Sequence, residues 1–214
     1  MRVVIAGGHG QIALLLEKVL FGQGDQPVGI VRNPNHVPDL EQAGAEAVVL
    51  DLEQATAEEV AEVVRGAEAV VFAAGGGPRS GPARKETVDK NAAILLADAA
   101  EKAGVRRYVM VSAMGTERAD PTSDEIFQVY LRAKQAADDD LRSRDLDWTV
   151  VRPGRLTDDA GTGLVRVGSL ERGEIPRADV AATLAATLRT DATIGRTFDL
   201  LAGGEDIDSA LKTL

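Results

Sequence analysis

The sequence predicts an α/β protein built on a doubly wound parallel sheet, with residues 1–214 in a single domain. Short β-branched runs alternate with helical patterns of apolar residues along the chain, as in βαβ units. The first run enters a glycine-rich turn at residue 7 and then a helix. Hydrophobic residues make up 44% of the chain and aromatic residues only 3%, and such a core of Ala, Val, Leu and Ile suits buried strands covered by helices.

The strands are predicted from short apolar runs that end at turn residues. The first, 3–6, precedes the glycines, and the second, 27–32, ends in the turn Asn33-Pro34-Asn35. Runs of the same kind predict further strands at 47–50, 69–74, 108–111, 148–151, 164–167 and 197–201.

The helices are predicted from apolar residues at helical spacing. Positions 12, 15, 16, 19 and 20 give the first helix, and Gly104 is a good end for a long helix over roughly 87 to 103. Later helices are expected to begin near Ser123 or Asp124, to span about 177 to 188, and to close the chain. Residues 78 to 86, which include Arg79, Arg84 and Lys85, are expected to form a mobile loop over the end of the fourth strand.

The amino-acid composition limits which kinds of ligand and partner are expected. The net charge of −10 argues against nucleic acid, which favours a basic face, and points to a small-molecule substrate. The absence of cysteine excludes thiolate metal sites and disulfides, and no metal site is predicted. No apolar run reaches the length of a membrane span, so we expect a soluble, cytoplasmic protein without a membrane partner, either monomer or homodimer.

The glycine turn has the spacing of a phosphate-binding loop. It fits both Gly8-x-Gly10-x-x-Ala13 and Gly7-x-x-Gly10-x-x-Ala13, and glycines at these positions let backbone N–H groups at a helix N-terminus approach a pyrophosphate. An ordinary strand-to-helix turn is the alternative, but the place after the first strand favours a dinucleotide site. The residues expected to bind cofactor here are Gly7, Gly8, His9, Gly10, Gln11 and Ile12.

The ends of the next strands supply further cofactor contacts. Arg32 follows the second strand, where a basic residue accommodates a ribose 2′-phosphate and an acidic residue binds the 2′-hydroxyl, so NADP is preferred over NAD. Arg32 could also stack on adenine or be solvated. Asp51 is expected near the adenine, with helix capping as the alternative. Leu52, Ala73, Ala74 and Gly75 complete this predicted surface.

Three residues form a candidate catalytic site. Tyr130 and Lys134 are spaced i, i+4 and share one face of a predicted helix, and Ser112 ends the fifth strand. A tyrosine with a pKa of about 10 exchanges protons poorly near neutrality, and a nearby ammonium lowers that pKa. Lys134 is therefore expected to lower the pKa of Tyr130 and to bind the nicotinamide ribose, while Ser112 binds a substrate carbonyl.

Together these segments resemble the atypical short-chain dehydrogenases/reductases of the NAD(P)H-binding, NmrA-like type. The similarity spans nearly the whole chain. It rests on Gly7-x-x-Gly10-x-x-Ala13, Asp51-Leu52, Phe72-Ala73-Ala74-Gly75, the block 103–112, Tyr130-x-x-x-Lys134, the block 149–154 and the block 175–181.

This resemblance implies a Rossmann-type sheet of strand order 3-2-1-4-5-6, with a seventh strand as an option, and a small substrate cap from about residue 154. It implies that Ser112, Tyr130 and Lys134 hold the catalytic positions, and that Pro153 and Gly154 lie near the nicotinamide. The family includes small NADPH-dependent reductases and regulatory NAD(P) sensors.

Three functions are compatible with these observations. The first is an NADP-dependent oxidoreductase that transfers a hydride between nicotinamide and a small carbonyl, quinone or similar acceptor, with Tyr130 as general acid or base. The second is a non-catalytic NADP(H)-binding redox sensor. The third, a sugar-nucleotide epimerase or dehydratase, is disfavoured by Arg32 and by the short segment beyond Pro153.

Overall fold

The computed structural model describes residues 1–77 and 80–214. Nine strands form one sheet in the order β11-β8-β10-β6-β5-β4-β1-β2-β3, and β7 pairs with β9 in a separate two-stranded sheet. The strands β1 to β11 are, in chain order, Arg2–Ala6, Gln26–Val31, Glu46–Val49, Ala69–Phe72, Arg107–Val111, Asp147–Pro153, Arg155–Thr157, Leu164–Gly168, Glu174–Pro176, Arg196–Ala202 and Glu205–Asp206.

The parallel part of the sheet confirms the Rossmann-type order 3-2-1-4-5-6. β1 lies between β2 and β4, so that Val4 is opposite Val28 on one side and Val70 on the other. β10 adds a seventh parallel strand beside β6, and β8 and β11 extend that edge with antiparallel pairing. The carboxyl ends of the parallel strands therefore meet along one edge, where open α/β sheets bind their ligands.

Helices cover both faces of the sheet. Among the helices that the structure describes, none combines the length and the apolar character needed to cross a membrane. The helices α1 to α8 are Gln11–Gly22, Val37–Gln42, Ala57–Val64, Pro82–Arg84, Ala92–Ala103, Ile126–Arg142, Arg177–Thr187 and Ile207–Leu211, with a π-helix at Lys85–Asn91 between α4 and α5.

Among the described residues the core has two large apolar layers, because successive strand residues point to opposite faces, and a small third cluster of Val31, Leu40 and Ala45. On β1, Val4 packs into the layer under α3, α5 and α6, whereas Val3 and Ile5 pack into the layer under α1, α7 and α8. Burial of both faces explains why the central strands are continuous apolar runs.

The segment before α5 differs from the sequence prediction. Helical structure begins at Pro82, through α4 and the π-helix, so residues 82 to 86 are not part of a loop. Pro78 and Arg79, which belong to the predicted loop, lie outside the described residues. The helix predicted to begin near residue 123 begins at Ile126, because the Ser123 hydroxyl accepts the Glu125 N–H just before it.

Candidate functional site

The glycine turn brings the first strand close to the fourth. Gly7 has a φ of 84°, and a Cβ there would lie 2.6 Å from the Ala74 Cα. The Gly10 N–H donates to the Gly7 carbonyl at 2.8 Å, and α1 begins at the next residue. A side chain at Gly7 would clash with Ala74, so the close approach of the turn to the end of β4 requires glycine. A glycine turn placed directly before a helix N-terminus fits a backbone cradle for a dinucleotide pyrophosphate.

A cavity of about 250 Å³ opens beside this turn. The predicted cofactor residues Gly7, His9, Gly10, Arg32, Asp51, Leu52 and the segment 73–75 all line it. Gly8, Gln11 and Ile12 line neither this cavity nor the larger one described below, within the part of the chain that is described. Gly8 instead packs on Gly29, where a Cβ on Gly8 would lie 2.8 Å from the Gly29 Cα.

Several polar side chains that line this cavity pair with one another. Arg32 Nη1 lies 3.1 Å from Glu53 Oε2, and Arg84 Nη2 lies 3.1 Å from the same oxygen. Asp51 Oδ1 accepts the Glu53 N–H at 3.0 Å. Asp51 thus shapes the turn after β3, a role close to its predicted capping alternative, and Glu53 is a lining residue that the sequence analysis missed.

His9 sits in the glycine turn but faces the second helix. Its Nε2 lies 2.7 Å from Asp39 Oδ2, and its ring stacks on His36 with centroids 3.6 Å apart. Both histidines line the cavity. The two stacked rings form a flat polar surface at this end of the cleft. Only His9 was predicted from the sequence.

A second cavity, of about 1300 Å³, continues from the first. The two share Ala73, Ala74 and Gly75, so one cleft runs along the carboxyl edge of the sheet. The predicted residues that line this larger end are Ser112, Tyr130, Lys134, Pro153 and Gly154. Apolar side chains that line it with them are Met114, Ile126, Phe127, Leu131 and Leu156.

Lys134 is buried beneath this cavity by its neighbours. Its Nζ donates to the carbonyls of Val111 at 3.1 Å and Ala74 at 3.3 Å, and lies 3.7 Å from Asp89 Oδ1. Burial lowers the pKa of Lys134, and the Asp89 carboxylate opposes that change. The ammonium is thus directed at two strand ends and one carboxylate.

Tyr130 does not have the low pKa that was expected. Part of its side chain reaches solvent, yet surrounding protein atoms desolvate the phenol, and burial together with the Asp89 and Asp138 carboxylates raises the pKa of Tyr130. The expected lowering by Lys134 is therefore wrong for this structure. The phenol is neutral near pH 7 and can donate a hydrogen bond into the cleft.

Ser112 is buried at the end of β5 and is hydrogen-bonded from below. Its Oγ donates to Asp138 Oδ2 at 2.9 Å, and the same carboxylate accepts from Arg152 Nη2 at 2.9 Å. Burial raises the pKa of Asp138, while Arg152 and Ser112 oppose that shift. With its hydrogen donated to Asp138, Ser112 presents only an acceptor oxygen to the cleft, which does not fit the predicted hydrogen bond to a substrate carbonyl.

Asp89 is a further site residue that was not predicted from the sequence. It lies on the π-helix, fully buried, and its Oδ2 accepts the Gly76 N–H at 3.0 Å. Lys85 Nζ lies 4.0 Å from the same oxygen and donates to the Gly77 carbonyl at 2.7 Å. The i, i+4 spacing of Lys85 and Asp89 was a usable signal, but it fell partly in the predicted loop.

Comparison with known proteins identifies the family. Residues 7–191 match the family model described as NAD(P)H-binding. The chain belongs to the NAD(P)H-binding family. The atypical short-chain dehydrogenase/reductase resemblance inferred from the motifs agrees with this NAD(P)H-binding assignment, and the fold matches as well.

Three relatives of this NAD(P)H-binding protein match along nearly their whole length. A Bacillus subtilis protein with the name "Uncharacterized sugar epimerase YhfK" is 38% identical over all of both chains. A Bacillus halodurans structure provisionally named an NAD-dependent epimerase/dehydratase is also 38% identical over all of both chains, with a TM-score of 0.92. The oxidoreductase ylbE from Lactococcus lactis is 30% identical, covering 100% of this chain and 96% of its own, with a TM-score of 0.89.

Proposed function

We propose that this protein is an NADP-dependent reductase that passes a hydride to a small carbonyl, quinone or similar acceptor. The observation that carries the proposal is the continuity of the cleft. A glycine turn lies at one end, and Ser112, Tyr130 and Lys134 line the other, joined through residues 73–75. We propose it as a single-domain cytoplasmic protein, monomer or homodimer, whose residues from about 154 form a cap.

The residues of the cleft fit a dinucleotide in a consistent order. Backbone N–H groups of the glycine turn would bind the pyrophosphate, and Arg32 would face the adenosine ribose. Lys134, Pro153 and Gly154 would hold the nicotinamide end. The reduced nicotinamide, when bound, supplies the hydride.

In the proposed reduction, the protein supplies a proton from the Tyr130 hydroxyl. A neutral phenol donates a hydrogen bond to a carbonyl oxygen and transfers its proton as that oxygen gains charge, because an alkoxide is a stronger base than a phenolate. The raised pKa of Tyr130 makes the phenol a weaker acid, so its proton moves only as the carbonyl oxygen becomes strongly basic. The proposed direction, reduction, is tested by NADPH consumption with carbonyl acceptors.

The names of two relatives favour epimerisation as a second candidate. The name of the Bacillus subtilis protein includes sugar epimerase and that of the Bacillus halodurans protein epimerase/dehydratase, both at 38% identity over whole chains. Epimerisation through transient oxidation would require Tyr130 to accept a proton in one half of the cycle and to return it in the other. Epimerisation would also leave the total amount of reduced cofactor unchanged, whereas reduction of an acceptor consumes it. Net consumption of NADPH therefore distinguishes the two functions.

The test is consumption of NADPH and NADH over a panel of aldehydes, ketones and quinones, with wild type and Tyr130→Phe side by side. We expect stoichiometric oxidation by wild type and a loss of about 10²-fold or more in Tyr130→Phe for carbonyl acceptors. Equal rates for both proteins with every acceptor would remove Tyr130 from the reaction. Tight cofactor binding with no turnover of any acceptor would instead favour the redox sensor, and sugar-nucleotide interconversion without net oxidation would favour the epimerase.

A further inference from the structure

Two guanidinium groups converge on one carboxylate at the adenosine end of the cleft. Arg32 Nη1 and Arg84 Nη2 each lie 3.1 Å from Glu53 Oε2. The Glu53 side chain is 18% exposed, whereas those of Arg32 and Arg84 are 53% and 37% exposed. All three residues line the cavity. The carboxylate is therefore the innermost member of the group, with an arginine on either side.

Glu53 is held in place from two directions. The Thr87 hydroxyl donates to Glu53 Oε1 at 2.6 Å, and the Glu53 backbone N–H donates to Asp51 Oδ1 at 3.0 Å. One contact comes from the π-helix and the other from the turn after β3. The carboxylate is thus fixed at the position where the two arginines meet.

A guanidinium group recognises carboxylate and phosphate by the same paired N–H geometry. Arg32 follows β2, the position from which a basic residue reaches a ribose 2′-phosphate in dinucleotide-binding folds. Arg84 lines the same cavity and its Nη2 contacts the same carboxylate oxygen, so a second guanidinium group is available to a 2′-phosphate. A 2′-phosphate bound here would compete with Glu53 for both arginines. The negative charges of the phosphate and of the Glu53 carboxylate would also repel each other.

Building on the proposed cofactor-dependent function, we propose that Glu53 sets the choice between NADP and NAD. Glu53 competes with the 2′-phosphate of NADP for Arg32 and Arg84, and it accepts a hydrogen bond from the 2′-hydroxyl of NAD. Arg32 alone predicts a strong preference for NADP, but with Glu53 present that preference is small. The glutamate is a specificity residue, and it takes no part in hydride transfer.

The first experiment measures binding, independently of turnover. Calorimetric titration with NADP, NAD and adenosine 2′,5′-bisphosphate compares wild type with Glu53→Gln, which keeps the size of the side chain and an acceptor for Thr87. We expect about tenfold tighter binding of NADP and of the bisphosphate, and NAD binding unchanged or up to about threefold weaker. Glu62→Gln removes the same charge from an exposed pair on α3 and is the matched control, expected to stay within about twofold.

The variant Arg84→Gln tests whether Arg84 binds the 2′-phosphate of NADP. It is expected to weaken NADP binding about tenfold and to change NAD binding by less than about threefold, because the 2′-phosphate loses one of its two partners. Circular dichroism of each variant checks that it folds. The Arg84 result keeps the inference falsifiable should Glu53→Gln fail to fold.

The outcomes separate this inference from the proposed function. If wild type binds both dinucleotides and neither variant changes the NADP to NAD ratio, Glu53 does not select the cofactor and the reductase proposal stands. If wild type binds neither dinucleotide, the reductase proposal fails and the inference fails with it. If Glu62→Gln changes the ratio as much as Glu53→Gln does, general charge is responsible and the inference is overturned.

Discussion

Lys134 Nζ lies 3.7 Å from Asp89 Oδ1, with both side chains almost fully buried. Asp89 also accepts the Gly76 N–H and faces Lys85. One carboxylate therefore balances two ammonium groups and fixes the backbone after β4, directly at the junction of the two cavities. The nearest electrostatic partner of Lys134 is Asp89, with the Asp138 carboxylate as a further one, and Tyr130 contributes no charge to the cluster.

We predict that Asp89→Asn destabilises the protein by about 3 kcal/mol, because it leaves two buried ammonium groups without their nearest counter-charge while the Gly76 hydrogen bond can persist. Urea unfolding measures the loss. Asp139→Asn is the matched control, because Asp139 is 61% exposed in a surface pair with Arg142 and is expected to change stability by less than about 0.5 kcal/mol. Equal effects of the two changes would contradict the role given to Asp89.

Alanine substitutions at Gly7 and Gly66, two glycines with similar positive φ angles, are expected to differ in their effects. Gly7 and Gly66 have φ values of 84° and 76°, but a Cβ on Gly7 would lie 2.6 Å from the Ala74 Cα, whereas Gly66 has nothing within 4 Å. Both alanine variants should lose about 1–2 kcal/mol from left-handed strain. Gly7→Ala should lose more, and its NADP affinity should fall at least about tenfold, because β1 and β4 must separate.

The measurement for this pair is unfolding by urea together with calorimetric titration of NADP. Gly66→Ala should retain wild-type affinity, so it separates strain in the turn from crowding in the cleft. If Gly7→Ala bound NADP as wild type does, the glycine turn would not be the pyrophosphate cradle.

Ser112→Ala should lower the free energy of unfolding. The change removes a buried hydrogen bond at 2.9 Å to the Asp138 carboxylate, which is expected to cost about 1–3 kcal/mol. Ser143→Ala is the control, since the exposed Ser143 hydroxyl donates only to the Asp140 carbonyl and its loss should cost less than about 0.5 kcal/mol. A Ser112→Ala protein as stable as the control would show that the Ser112–Asp138 bond contributes nothing to the fold.

Much of the fold was predictable because each strand is a short apolar run with a turn residue at its end. Arg32 and Ser112 were recognised as strand-end residues for that reason. The strand order came from the family resemblance, since periodicity does not report which strands are neighbours. The confirmed order shows that the motifs carried enough information for the topology.

The electrostatics of the site were less predictable. The i, i+4 spacing placed Tyr130 and Lys134 on one helix face, but it could not show that the ammonium turns to the carbonyls of Ala74 and Val111. Glu53 meets Arg32 only because the turns after β2 and β3 are adjacent. Such pairings depend on tertiary approach and burial, which local sequence patterns do not encode.

Glu17 provides the pH dependence that is easiest to test. It is fully buried on α1 beneath Gly8 and Gly29, and neither carboxyl oxygen has a partner among the described residues. Burial raises the pKa of Glu17 from 4.5 to about 8. The folded state therefore holds the proton more tightly than the unfolded chain. This stabilising contribution is fully present below pH 4.5 and is lost as the pH rises to about 8.

We expect Glu17→Gln to match wild type near pH 4.5 and to become progressively more stable than wild type up to about pH 8, because the amide cannot ionise. Between these limits the difference in unfolding free energy should grow by about 1.4 kcal/mol per pH unit at most. Urea unfolding at a series of pH values measures it, with the exposed Glu41→Gln as control. Parallel stability profiles for wild type and Glu17→Gln would mean that Glu17 stays ionised in the fold, in contact with water or a cation beneath the glycine turn.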